Sequence, residues 1–169
     1  MTFTRIALGP VVGLLTLATI LFAWPIVSVA ETSLPSARDL LVDARTVRRT
    51  GVPLIVMVSL QGCPHCEVVR RSHLLPLLRD GNARLGPLIR QVEINGQDAM
   101  RDFHGRAITH ADFASRYKIR VAPVVMFFDA KGKMITEPLV GAMIPEFYGA
   151  YFDAALAKAR ARLRPADGG

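Results

Sequence analysis

The chain has 169 residues, 51% of them apolar, and a formal charge of +7. That is enough for one domain with a hydrophobic core of its own plus short appendages, and such a core needs no disulfide staples. The basic residues are dispersed apart from Arg48-Arg49, Arg70-Arg71 and the stretch Lys158 to Arg164, with no aromatic-interleaved basic stripe, so no nucleic acid is expected among the partners.

Residues 1–30 differ from everything after them. One charge, Arg5, precedes the uncharged stretch Ile6 to Ala30, and Ser28-Val29-Ala30 is a small-x-small triplet followed by Glu31. This pattern predicts an export signal cleaved after Ala30. The alternative is an uncleaved anchor, because the uncharged run is long enough to cross a bilayer. Either way the remainder is exported and expected in the periplasm, free or held at the inner membrane.

Residues 31–36 read as a polar linker. Ala37 to Thr50 predicts a helix, with Leu40, Leu41, Ala44 and Val47 on one face and Arg38, Asp39, Asp43, Arg45 and Arg48 on the other, ending at Gly51. Val52 to Leu60 lacks polar alternation and predicts a central strand covered on both faces. The only two cysteines follow it, in Gln61-Gly62-Cys63-Pro64-His65-Cys66. Pro64 suits the first turn of the next helix, which runs through Val68, Val69, His73, Leu74 and Leu77 until Pro76 kinks or ends it. Asp80-Gly81-Asn82 marks a turn. Leu88 to Ile94 is a second strand, closed by Asn95-Gly96, and 96–108 reads as a polar loop or broken helix.

Thr109 is placed to cap a helix from His110, with Asp112 in its first turn and Phe113 and Tyr117 along it. His104 and His110 read as loop residues, and His73 as packed or surface. Val124 to Phe128 is a third strand. Asp129 to Lys133 is a hairpin loop into Met134 to Val140, an antiparallel edge strand because of Pro138. Gly141 ends it. Pro145 opens a last helix whose apolar face is Phe147, Tyr151, Phe152, Leu156 and Ala159, and 165–169 form a flexible tail. Strands joined through a helix are expected to be parallel and the last two to form a hairpin, so the sheet is mixed, with helices on both faces.

A dithiol between a strand and a helix places one thiol at a helix N-terminus, where free N–H groups and the dipole favour a thiolate. The thiolate is the form that attacks disulfides. A zinc site would need a second cysteine pair or matching histidine spacing, and neither exists. A purely structural bridge would close too short a loop to add much stability.

The element order, Cys63-Pro64-His65-Cys66 and Ala122-Pro123 directly before a strand resemble the thioredoxin fold, over residues 37–164. This is an α/β fold with a mixed four-stranded central sheet flanked by helices. The run Tyr117 to Lys133, followed by Gly141, looks like exported thioredoxin-related proteins of the SoxW-like kind. Pro64-His65 is similar to the dipeptide of the DsbA oxidases, although no long helical insertion is available.

The resemblance implies that Cys63 is the nucleophile and Cys66 the resolving thiol, with Pro64 and His65 tuning the thiolate. Pro123 would be a cis proline, and Ala122 would pair with an extended substrate. Protein thiols or disulfides would be the substrates, a membrane or periplasmic protein the redox partner, and no cofactor or metal beyond the Cys63–Cys66 disulfide would be needed. Three positions depart from thioredoxins. Gln61-Gly62 stand where an aromatic wall would be, Met57 occupies the position of the buried acid, and Ala122 is smaller than usual. A water, Glu67 or Glu93 would then have to take over the acid's role. The competing reading is a non-enzymatic binding module or copper carrier using the same two sulfurs.

Overall fold

The computed structural model describes residues 33–80, 86–141 and 145–164. The expected export segment, the Gly81-Asn82 turn and the C-terminal tail lie outside the described residues. Four strands form one mixed sheet in the order β2-β1-β5-β6: β1 (Leu54–Ser59), β2 (Leu88–Glu93), β5 (Val124–Phe128) and β6 (Leu139–Val140). β1 is wholly buried, as its unbroken apolar run demands of a strand covered on both faces. The helices α1 (Leu40–Thr50), α2 (Pro64–Val69), α3 (Leu75–Arg79), α4 (His110–Arg116) and α5 (Pro145–Leu163) flank it.

Alternate residues of β1 and β5 feed two cores. Ile55, Met57, Val125 and Phe127 pack with Cys66, Val69, Leu74 and Phe152. Val56, Val58, Met126 and Phe128 pack on the opposite face with Leu40, Val47 and Phe113. Phe127 and Phe128 thus serve one core each, as period-two side-chain alternation requires.

α1 starts at Leu40, three residues later than its periodicity predicts, because Asp39 caps it by accepting a hydrogen bond from the Val42 N–H (3.0 Å). Ala37 instead donates its N–H to the Gln91 carbonyl, beside β2. Asp43, assigned by periodicity to the polar face, is buried. It takes a two-pronged bond from Arg90 of β2 (2.6 and 3.0 Å), and only a paired carboxylate is tolerated there.

The helix after the dithiol neither ends at Pro76 nor simply kinks. A π turn over Arg70–Leu74 precedes α3, with Pro76 at the start of the new helical stretch. Proline has no N–H to donate, and its ring crowds the carbonyl four residues back. A widened turn at that place accommodates both.

β1 and β2 are parallel, as expected, but β5 is antiparallel to β1. Glu93 at the end of β2 pairs with Ser59, and Val124 at the start of β5 pairs with Val58. The connection therefore leaves and re-enters the sheet at the same end, and the parallel rule for full crossovers does not apply. Residues 96–108, expected as a loop or broken helix, hold a small hairpin of β3 (Ala99–Arg101) and β4 (Ala107–Thr109). The predicted strand 134–140 is reduced to a bridge at Met134 and the two residues of β6, with Pro138 in the interruption.

The hairpin turns on Asp102. Its buried carboxylate accepts from the His104 and Arg106 N–H groups (2.8 and 2.9 Å), from Arg106 Nε (2.7 Å) and from Arg116 Nη1 of α4 (2.5 Å). Burial by itself would raise its pKa. The bonds from Arg116, Arg106 and His104 outweigh that and hold the carboxyl well below the usual carboxylate range. A depressed folded pKa contributes stability that is fully present above the unfolded value and is lost as pH falls through the folded one. Asp102→Ala should cost about 2–3 kcal/mol at pH 7 and flatten the acid limb of the stability curve below about pH 4. Denaturant melts at pH 7 and pH 3 measure both, and an unchanged difference between the two pH values would refute the assignment.

α4 begins at His110, with a reciprocal cap between Thr109 and Asp112. His110 is not a loop residue: it is buried, with Nδ1 accepting from the Glu93 N–H (3.1 Å) and Nε2 2.9 Å from the Ala37 carbonyl. That pattern requires the Nε2–H tautomer. His104 is exposed in the hairpin turn, and His73 packs on Tyr148 and Phe152. In α5 the buried face is Tyr148, Phe152, Ala155, Leu156 and Ala159, whereas Phe147 and Tyr151, expected inside, are 60% and 66% exposed.

Candidate active site

The site forms where β1 gives way to α2. Gly62 takes φ +74°, a conformation glycine adopts without strain, and Cys63 donates its N–H to the Leu60 carbonyl (3.1 Å). Cys63 is the N-cap of α2, extended at φ −82°, ψ 112°, and Pro64 sits in the first turn, where its missing N–H has no helical partner to lose. The Cys63 Sγ accepts from the Cys66 N–H (3.1 Å).

The two sulfurs are bonded to one another, with Cα atoms 5.3 Å apart. Cys66 is 1% exposed and packs with Met57 and Val69, while Cys63 is half-buried and reaches the surface. Pro64 and His65 are both exposed.

From the other side of the sheet end comes the loop before β5. The Ala122–Pro123 bond is cis, and the Ala122 carbonyl oxygen lies 3.9 Å from Cys63 Sγ, a contact between residues 59 apart in sequence. Pro123 is buried, and its carbonyl accepts from the Gly141 N–H (2.8 Å) at the end of β6. The fold thus brings together Cys63, Cys66, Pro64, Ala122 and Pro123. His65 is exposed, and among the described residues no hydrogen bond joins it to the sulfurs.

Behind the disulfide the fully buried Met57 offers a thioether and no proton acceptor. Glu67 is occupied by Arg70 and Arg71. Glu93 borders the same cavity as Cys63, one of about 550 Å³ lined also by Leu60, Gln61, Gly62, Pro64, Glu67 and Arg70. The sequence points to the two glutamates but not to Arg70 or Ser59. The i,i+3 spacing of Glu67 and Arg70 was a usable signal, as was Ser59, a lone hydroxyl in a wholly apolar strand.

Fold and site define a class: a thioredoxin fold carrying a C-x-x-C disulfide at a strand–helix junction. The chain belongs to the thioredoxin-like domain family, whose family model matches residues 41–156. A search of curated proteins returns no match. Among solved structures it is similar to Fasciola hepatica thioredoxin (12% identity, 75% of this chain and 99% of that one, TM-score 0.48). It is also similar to mitochondrial thioredoxin 3 of Saccharomyces cerevisiae (13%, 75% and 95%, TM-score 0.49). A third likeness is to a DsbH oxidoreductase (15%, 75% and 87%, TM-score 0.49). The family match, not these likenesses, establishes the membership.

Proposed function

We propose that this protein is an exported thiol–disulfide oxidoreductase that exchanges disulfides with protein substrates through Cys63 and Cys66. The observation that carries this reading is the asymmetry of the pair. Cys63 is reachable and receives an N–H at a helix start, and Cys66 is sealed in the core. Donors and dipole at the helix start favour the Cys63 thiolate once the pair is reduced.

In the reducing direction the Cys63 thiolate attacks one sulfur of a substrate disulfide. A Cys63–substrate disulfide forms, and the other substrate sulfur leaves as a thiolate and is protonated. Cys66, losing its proton, then attacks Cys63 Sγ, re-forms the Cys63–Cys66 bond and expels the second substrate sulfur. Two electrons and two protons pass to the substrate without metal or organic cofactor. In the opposite direction the same steps run backwards, with the choice set by the potential of the pair against its redox partner.

Ala122 and Pro123 border the attacking sulfur, and an extended substrate segment laid along them would be positioned by its backbone. The exposed His65, next to Cys66 in sequence, supplies a group for tuning the thiolate. The uncharged stretch before Glu31 supports export, and disulfide exchange fits an oxidising compartment with a membrane or periplasmic redox partner. Within the family we assign the chain to the exported SoxW-like proteins on Tyr117 to Lys133 and Gly141, with a DsbA-like Pro64-His65.

Reduction of insulin by dithiothreitol tests the reaction. Catalytic amounts of the protein should raise the rate well above that of dithiothreitol alone. No acceleration, with one copper bound per protein after purification, would favour a carrier instead.

A further inference from the structure

The end of the sheet away from the disulfide is built from two helix C-termini and one loop. α1 closes at Gly51 just before β1, and α5 closes beside it, so near that a Cβ on Gly51 would lie 3.9 Å from the Leu163 carbonyl oxygen. Between them is a cleft of about 400 Å³, with Val52, Pro53 and Leu163 as an apolar wall and Arg160 and Arg164 as its cations. Exposed Arg48 and Arg49 stand on the last turn of α1, and exposed Lys131 and Lys133 lie in the loop past Phe128, the partner of Leu54. Cations at one helix C-terminus merely complement its dipole. Here two termini and a loop bring such charges to one pole, and none of the four arginines has a hydrogen-bond or ion-pair partner among the described residues. Two acids belong to the same end: Asp80, the C-cap of α3, and Asp129, whose carboxylate accepts from the Lys131 and Lys133 N–H groups (2.8 Å each). The cations outnumber them, and the pole is positive.

The chain also enters the domain from this pole. Ser36 bridges Gln91 in parallel, and the Gln91 N–H bonds the Pro35 carbonyl (2.8 Å), so the residues before Pro35 run back toward the start of β2, where Leu34 and Ile89 share one core. In sequence they lead back to the uncharged stretch Ile6 to Ala30. The disulfide is at the opposite end of β1, whose six residues span roughly 20 Å. An apolar-walled cleft rimmed by unpaired guanidiniums fits phosphate headgroups above an acyl layer, and each cation near an anionic surface strengthens binding about fivefold. We propose that this pole docks on an anionic bilayer surface and turns Cys63 away from the lipid, toward proteins in solution. The docking does not depend on disulfide exchange, and it operates with residues 1–30 attached or removed.

Arginine footprinting on the full chain tests this. Phenylglyoxal modifies accessible guanidiniums, and peptide mass spectrometry reads each position in the presence of vesicles of phosphatidylcholine, alone or mixed in equal parts with phosphatidylglycerol. The mixed vesicles should slow modification of Arg48, Arg49, Arg160 and Arg164 several-fold relative to phosphatidylcholine and leave Arg120, exposed in the loop before Ala122, unchanged. Salt at about 1 M, where the screening length is about 3 Å, should abolish the protection. A variant with both Arg160→Gln and Arg164→Gln, two exposed positions, should lose about 25-fold in partitioning onto the mixed vesicles, at about fivefold per cation. Dividing by the partitioning onto phosphatidylcholine removes whatever residues 1–30 contribute, because they are the same in both proteins. Equal modification rates on the two vesicles, or protection that includes Arg120, would overturn the docking face. Protection by soluble polyglutamate but not by vesicles would replace the lipid surface with an acidic protein. Insulin reduction by Cys63 and Cys66 stands or falls separately, by its own assay.

Discussion

A Cys63→Ser protein will show no disulfide exchange above background, and a Cys66→Ser protein will hold its substrate as a mixed disulfide. The difference follows from burial. Cys66 is 1% exposed on the inward face of α2, out of reach of a protein disulfide, so the proposed mechanism gives the first attack to Cys63 at the N-cap. A serine hydroxyl there remains protonated at neutral pH and cannot form the intermediate. With Cys66 replaced, attack proceeds, but no second sulfur lies within reach to expel the substrate. Insulin turnover measures the first variant, and non-reducing electrophoresis with mass spectrometry the second. Wild-type turnover by Cys63→Ser would end the catalytic reading, and a Cys66→Ser protein that never accumulates adducts would reverse the order of the two thiols.

Phe128→Ala will destabilise the domain by about 3–5 kcal/mol, a large share of the 5–15 kcal/mol typical of a domain. Phe128 is fully buried, and three rings from two elements converge on it. They are Phe103 of the β3–β4 turn (5.0 Å between centroids), Tyr117 at the end of α4 (5.4 Å) and Phe113 within α4 (6.4 Å). Removing it opens a cavity that two separately anchored elements, the β3–β4 turn and α4, do not readily fill. The expected fall in Tm is on the order of 10–15 °C. Phe147→Ala is the control: with a side chain 60% exposed, it should stay within about 0.5 kcal/mol. Thermal melts that ranked the two variants equally would show that the described packing of α5 or of β5 is wrong.

The two aromatics of α5 also show where sequence reading falters. Phe147 and Tyr148 are adjacent, as are Tyr151 and Phe152, so the spacing admits two apolar stripes one residue apart. Only the surfaces of β5 and of the π turn choose between them: Phe152 meets Phe127 at 5.9 Å, and Tyr148 packs on His73 at 5.1 Å. Asp43 and His110 depart from the local pattern for a related reason. Both are polar and were assigned to polar surroundings, yet each is buried because its partner lies on another element, Arg90 for one and the backbones of Glu93 and Ala37 for the other. Such partners have no signature within a window of a few residues.

Local sequence settles whatever depends on neighbours a few residues away. An apolar run made β1, Pro64 opened α2 with Cys63 as its cap, Thr109 and Asp112 closed a reciprocal cap on α4, and Gly51 ended α1 in the left-handed conformation. These are matters of period, capping and backbone freedom, settled locally. Long-range packing set the direction of β5, the approach of Ala122 to Cys63 across 59 residues, and the frame of Ser59, Arg70, Gln91 and Glu93 around the cavity. Each of these depends on which end of the sheet a connection returns to, and that is fixed by the packing of whole elements.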